Sequence, residues 1–155
     1  MTIPALSIDG HVFEFVGDVQ PEVGTDGRVL QFMPQSRYKG HGKQRLNRHG
    51  AGPFCRFRAA KGVSSAGVYV VTVEGKIFYV GECVNLSVRW GLSQYGSIQP
   101  KNCYVGGQST NCKVNSRVLS NALAGKKIQL WFHPTQDHKA IELKLRSTVN
   151  SPWNG

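Results

Sequence analysis

Acidic residues are missing from two long stretches of this 155-residue chain, Gly27 to Val73 and Cys83 to Gln136. Residues 1–26 show the opposite gap: Asp9, Glu14, Asp18, Glu22 and Asp26 occur there without a single Lys or Arg. Also lacking is any apolar run near the ~20 residues that span a bilayer. The opening Met1-Thr2-Ile3-Pro4 has neither the charged segment nor the long apolar segment of a signal peptide, so an intracellular, cytoplasmic protein is expected. No C-x-x-C pair occurs among Cys55, Cys83, Cys103 and Cys112. Their spacing offers no four-ligand zinc set, and outside a secretory context reduced, buried thiols are the expectation. Internal repeats and low-complexity tracts are absent as well.

What is present is positive charge, a net of +10 with a pI near 9.8. Arg37, Lys39, Lys43, Arg45, Arg48, Arg56 and Arg58 crowd into the first acid-free stretch, and Lys113 and Arg117 lie in the second. Excluding acids over such lengths suits a polyanionic partner, because Lys and Arg gain affinity by releasing counterions from phosphates. Nucleic acid is the expected partner and a membrane is not.

Residues 1–62 read as a β-rich N-terminal extension, with β-prone runs at His11–Val16 and Arg28–Met33. Between Ser36 and Gly52 the composition turns to Gly, Arg, Lys, His and Asn, which predicts a mobile basic loop that orders on its ligand. Residues 63–155 read as a catalytic core. Gly67–Val73 and Ile77–Gly81 flank a tight turn and predict a hairpin. A helix is expected from Asn85, a second from Thr110 or Asn111 to Gly125, a strand at Ile128–Phe132 and a last helix from Asp137 to Val149. The fold class expected is α+β, a small three-stranded antiparallel sheet flanked by helices.

Tyr69 and Tyr79 fall on the paired strands, Arg89 on the following helix and Glu142 on the last one. Besides Asp137, Glu142 is the one acid beyond Glu82. A carboxylate in a phosphate-binding surface repels its substrate unless a cation lies between them, so metal ligation is the simplest reason for it.

Gly67-Val68-Tyr69, Tyr79-Val80-Gly81, Asn85-Leu86 with Arg89, Glu142 and the closing Pro152-Trp153-Asn154 follow one another in order. Over residues 66–155 this set resembles the GIY-YIG nuclease family. The resemblance implies a catalytic set of Tyr69, Tyr79, Arg89, Glu142 and Asn154, and one Mg²⁺ or Mn²⁺ per site, held by Glu142, a DNA phosphate and waters. Arg89 is expected to stabilise charge on the phosphorane oxygens. Tyr69, acidified by the electropositive site, would orient or deprotonate the attacking water, and Asn154 would hydrogen-bond near the tyrosine or the phosphate. Where many relatives have a Tyr or His four residues after the arginine, this chain has Ser93, and Tyr95 is the candidate substitute. His133 is a further candidate base.

The expected substrate is double-stranded DNA, gripped by the arginines at 37–58 and by Lys113 and Arg117. Asn102, Gln108, Asn111 and Asn115 are of types that read base edges. The chain looks like compact stand-alone or type II restriction-like members, whose products carry 5′-phosphate and 3′-hydroxyl ends. Two cuts require a homodimer on DNA or sequential nicking. A structure-selective or repair nuclease, and a non-catalytic DNA-binding module, stand as alternatives.

Overall fold

The computed structural model describes residues 4–38 and 44–154. Five strands form one antiparallel sheet: β1 (Ala5–Ile8), β2 (His11–Asp18), β3 (Gly67–Val73), β4 (Lys76–Cys83) and β5 (Ile128–Pro134), in the order β1-β2-β5-β3-β4. Three helices accompany it: α1 (Leu86–Arg89), α2 (Ser109–Leu123) and α3 (His138–Thr148).

This corrects the three-stranded sheet expected from the sequence. The three strands foreseen, β5, β3 and β4, are present and adjacent, but the free side of β5 is taken by the N-terminal hairpin, Glu14 opposite Phe132 and Phe15 opposite Trp131. A strand face half covered by apolar side chains pairs wherever a complementary edge is free, and alternation within a run does not say which edge that is. The second N-terminal run is no strand. Around Arg28–Met33 only the single bridges Val23–Val29 and Phe32–Phe54 form.

Local chemistry explains the elements. All seven residues of β3, a β-branched run around one tyrosine, are buried, as a central strand covered on both faces requires. Glu74 and Gly75 both take positive φ (50° and 81°), the primed two-residue turn that matches strand twist. Asn85 caps α1, its side chain accepting from the Val88 N–H at 3.1 Å.

Side-chain alternation sorts the core into two layers. Tyr69, Val71, Tyr79, Leu130 and Phe132 face one way and pack with Val114, Val118 and Leu119 of α2, with Trp90 and with Trp153. Val68, Val70, Val80, Phe13 and Trp131 face the other way, against Leu145 and Ile141 of α3. The two long helices therefore cover opposite faces. Past α3, the Pro152–Asn154 turn rounds the free edge of β4. There the Asn154 amide accepts from Val80 N–H (2.9 Å) and donates to Val80 C=O (2.8 Å), while Trp153 reaches the α2 layer.

The basic segment expected to be mobile is docked over its described part. Asn47 donates to the carbonyl of Asn102 (2.6 Å) and Leu46 bridges Tyr104, while just past the segment the Asn115 side chain grips both the N–H and the C=O of Cys55. Among the described residues, no helix is long and apolar enough to cross a membrane.

Candidate nucleic-acid and catalytic site

Register brings the tyrosines together. Tyr69 on β3 stands opposite Gly81 on β4, and a side chain at Gly81 would run into the Tyr69 phenol ring. Gly67 is constrained in the same way by the His133 carbonyl and the Phe132 ring. The motif glycines are thus spaces into which neighbouring groups fit, one of them the Tyr69 ring.

Above Tyr69 lies Tyr95, from the Gly-rich segment after α1. Its hydroxyl is 2.7 Å from that of Tyr69 and 3.2 Å from that of Tyr79. Arg89 ties into this triad. Its Nη1 donates to the Tyr69 hydroxyl (3.4 Å) and to the Glu82 carbonyl (3.0 Å), and its guanidinium lies 5.6 Å from the centre of the Tyr95 ring. A cleft of about 600 Å³ opens beside them, lined by Arg89, Tyr95 and Lys101 and by the amides Asn102, Gln108 and Asn111. Tyr69 and Tyr79 do not line it; the phenol that does is Tyr95. Tyr95 is the residue that the sequence offers as the substitute for the one missing at Ser93.

Burial pushes the Tyr69 phenol well above its usual value, with the neighbouring phenols of Tyr95 and Tyr79 adding to it, and the Arg89 charge opposes this only in part. Burial raises Tyr79 likewise. The acidified Tyr69 expected from the sequence is therefore not what the fold provides: a phenol in an apolar layer ionises reluctantly, even beside a guanidinium.

A second group gathers at the β4 edge. Lys113 lies over the Tyr79 ring, 5.8 Å from its centre. Burial first, then the charges of Arg117, Arg146 and Arg48, depress its pKa, and His49 is depressed by burial, Arg48, Lys113 and Arg117. The docked basic segment, α2 and α3 thus bring five cationic or ionisable groups within electrostatic reach of one another. An incoming phosphate would relieve their repulsion. Arg146, which in sequence looks like half of a surface helix pair, joins this cluster.

Glu142, only 15% exposed at its side chain, accepts from Arg146 at 3.2 Å. No hydrogen bond joins it to Tyr69, Tyr79, Tyr95 or Arg89; its link to them runs through Arg146 and Lys113 at the β4 edge. Among the described residues no three His, Cys, Asp or Glu side chains cluster as a metal cage. One partly buried carboxylate does fit a magnesium ion, which keeps most of its waters and completes its shell on substrate phosphate.

The remaining expected residues divide. Asn154 spends its amide on the Val80 backbone, so its role is to hold the edge of β4. His133 sits on β5 opposite Val68, on the α3 side of the sheet, where it meets Val12 C=O at 2.9 Å. Arg37, Arg45, Arg48 and Arg58 are exposed, whereas Arg56 is paired with Glu22 at 3.6 Å. Lys39 and Lys43 lie outside the described residues. Arg117 is exposed on α2. Asn115 is fully buried, its amide spent on Cys55 and on the Tyr95 carbonyl (2.8 Å), and so is a support for Tyr95. A Glu82–His138 hydrogen bond, not foreseen, fastens the start of α3 to β4 one turn before Glu142.

No family model, curated protein or solved structure matches this chain.

Proposed function

We propose that the protein is a metal-dependent DNA endonuclease of the GIY-YIG type, acting inside the cell on double-stranded DNA. The observation that carries this reading is the Arg89–Tyr69–Tyr95–Tyr79 network, hydrogen-bonded at one end of a polar cleft and bordered by the Lys113 cluster. A network of this kind suits positioning of a phosphodiester. Arg89, held by the Glu82 carbonyl, presents a fixed guanidinium to the charge that develops on the phosphoryl oxygens. Tyr95 meets the substrate, and through it Tyr69 and Tyr79 hold one shared proton pattern that orients the attacking water. Lys113, Arg117, Arg146 and Arg48 bind the flanking backbone. When bound at Glu142, magnesium or manganese would neutralise charge on the leaving 3′ oxygen, giving 5′-phosphate and 3′-hydroxyl ends.

The engagement of Glu142 by Arg146, apart from the tyrosines, favours one second reading, a DNA-binding module without cleavage. Plasmid incubated with Mg²⁺, followed by sequencing of the ends, separates the two. Discrete or scattered cuts that vanish in Glu142→Ala support the nuclease. Intact plasmid that is nevertheless bound supports the module, and undiminished cleavage by Glu142→Ala removes Glu142 from the mechanism.

A further inference from the structure

The cleft beside Tyr95 extends well beyond what a single phosphate needs, and one residue in it is oddly placed. Asn111, in the first turn of α2, is 9% exposed, yet its side-chain amide makes no hydrogen bond with any described residue and is open to the cleft. Its polar atoms are not among the fully buried unpartnered ones, so solvent in the cleft meets them and a ligand entering there would take that solvent's place. The Asn102 amide oxygen, by contrast, is committed to the Gln108 N–H at 3.3 Å. The start of α2 has no side-chain cap and no acid, and its Ser109 and Asn111 N–H groups donate to the Gly107 and Gln108 carbonyls, so the Asn111 side chain is the group it offers to the cleft. Arg89 and Lys101 supply positive charge to the same cleft.

We infer that this cleft holds the nucleotide next to the scissile phosphate and that Asn111 reads its base as adenine. An amide offers one donor and one acceptor side by side. In the major-groove edge, adenine alone presents the complementary pair, the N6 amino donor and the N7 acceptor. Guanine presents two acceptors, which a guanidinium would match, but the guanidinium in this cleft, Arg89, is the group assigned above to the phosphoryl oxygens. Lys101, on the wall of the same cleft, then meets the backbone of that nucleotide, where its charge favours phosphate.

The inference rests on the DNA-binding face of the nuclease reading, and its test runs with and without cleavage. A random-sequence duplex library is selected for binding without magnesium and, separately, cut with magnesium and end-sequenced. Adenine should be enriched at one fixed position, which in the cut pool lies within a nucleotide or two of the break. Placing 7-deazaadenine at that position should weaken wild-type binding about tenfold. Asn111→Leu, close in shape, should erase the preference there, bind adenine and 7-deazaadenine alike, and keep its preferences elsewhere. A bound pool with no fixed adenine, or wild-type protein indifferent to 7-deazaadenine, overturns the inference, and the second measurement needs no variant to fold. A selected adenine in an uncut library would overturn the nuclease reading and with it the placement beside a scissile phosphate, and leave the adenine contact of Asn111 standing.

Discussion

At the scale of single residues, Tyr95 is the hub. Tyr95→Phe removes the shared partner of Tyr69 and Tyr79 and leaves the buried Tyr69 hydroxyl short of a hydrogen bond. Stability should fall by about 1–3 kcal/mol in urea titration. On the proposed nuclease reading, the cleavage rate should fall roughly 10²-fold or more with DNA affinity little changed, since in that reading the network orients a proton-bearing group and grips no backbone. The buried phenols also fix an alkaline limit. Tyr69 has a folded-state pKa above its ordinary 10.0, so above about pH 10 the unfolded chain releases a proton that the folded one retains. The stability from this group is complete below pH 10 and is lost as pH rises towards the folded pKa. Thermal midpoints should therefore drop above about pH 10, with a shallower slope in Tyr69→Phe.

At the scale of elements, the β3–β4 hairpin is specified by its glycines. Gly81→Ala puts a methyl where the Tyr69 ring lies, and should cost about 1–3 kcal/mol together with most of the activity. In Tyr69→Leu the same substitution should cost less, and a double-mutant cycle in urea would measure that coupling. This hairpin, β5 and the helix faces were legible in the sequence because their signals are local: alternation, a tight turn, an apolar stripe. The place of β1 and β2 was not legible, because pairing with β5 across more than a hundred residues leaves no mark in either run. The same limit misled at Arg28–Met33, where Phe32 and Met33 remain 38% and 51% exposed. Within the site, Tyr69, Tyr79 and Arg89 were found by motif. Tyr95 was named from the departure at Ser93 and Asn111 as a base-reading type, but the neighbours of these two and of Arg146 depend on how a Gly-rich segment, α3 and the start of α2 pack, which sequence spacing does not state.

At the scale of the whole molecule, charge is arranged in a band. The described basic segment crosses the α2 side of the sheet and meets Lys113, Arg117 and Arg146 near the tyrosines. Binding to non-matching DNA should weaken by about 10²-fold or more between about 50 and about 200 mM salt, as expected for roughly five phosphate contacts. Arg146→Ala and Lys113→Ala should each lower the slope of log K against log salt by about one, read by fluorescence anisotropy.

The amide of Asn154 has a consequence for assembly. Its two hydrogen bonds to Val80 supply the free side of β4 with the single rung that a sixth strand would otherwise offer, and the turn that carries them stands in the way of any newcomer. A protein ending at Ser151 would leave that rail open, with apolar Phe78 and Tyr79 uncovered by Trp153. Open strand edges recruit one another. The shortened chain should self-associate edge to edge, visible as concentration-dependent growth in light scattering, while the 155-residue chain at the same concentrations should not. The Pro152–Asn154 turn is thus expected to act as a guard against polymerisation.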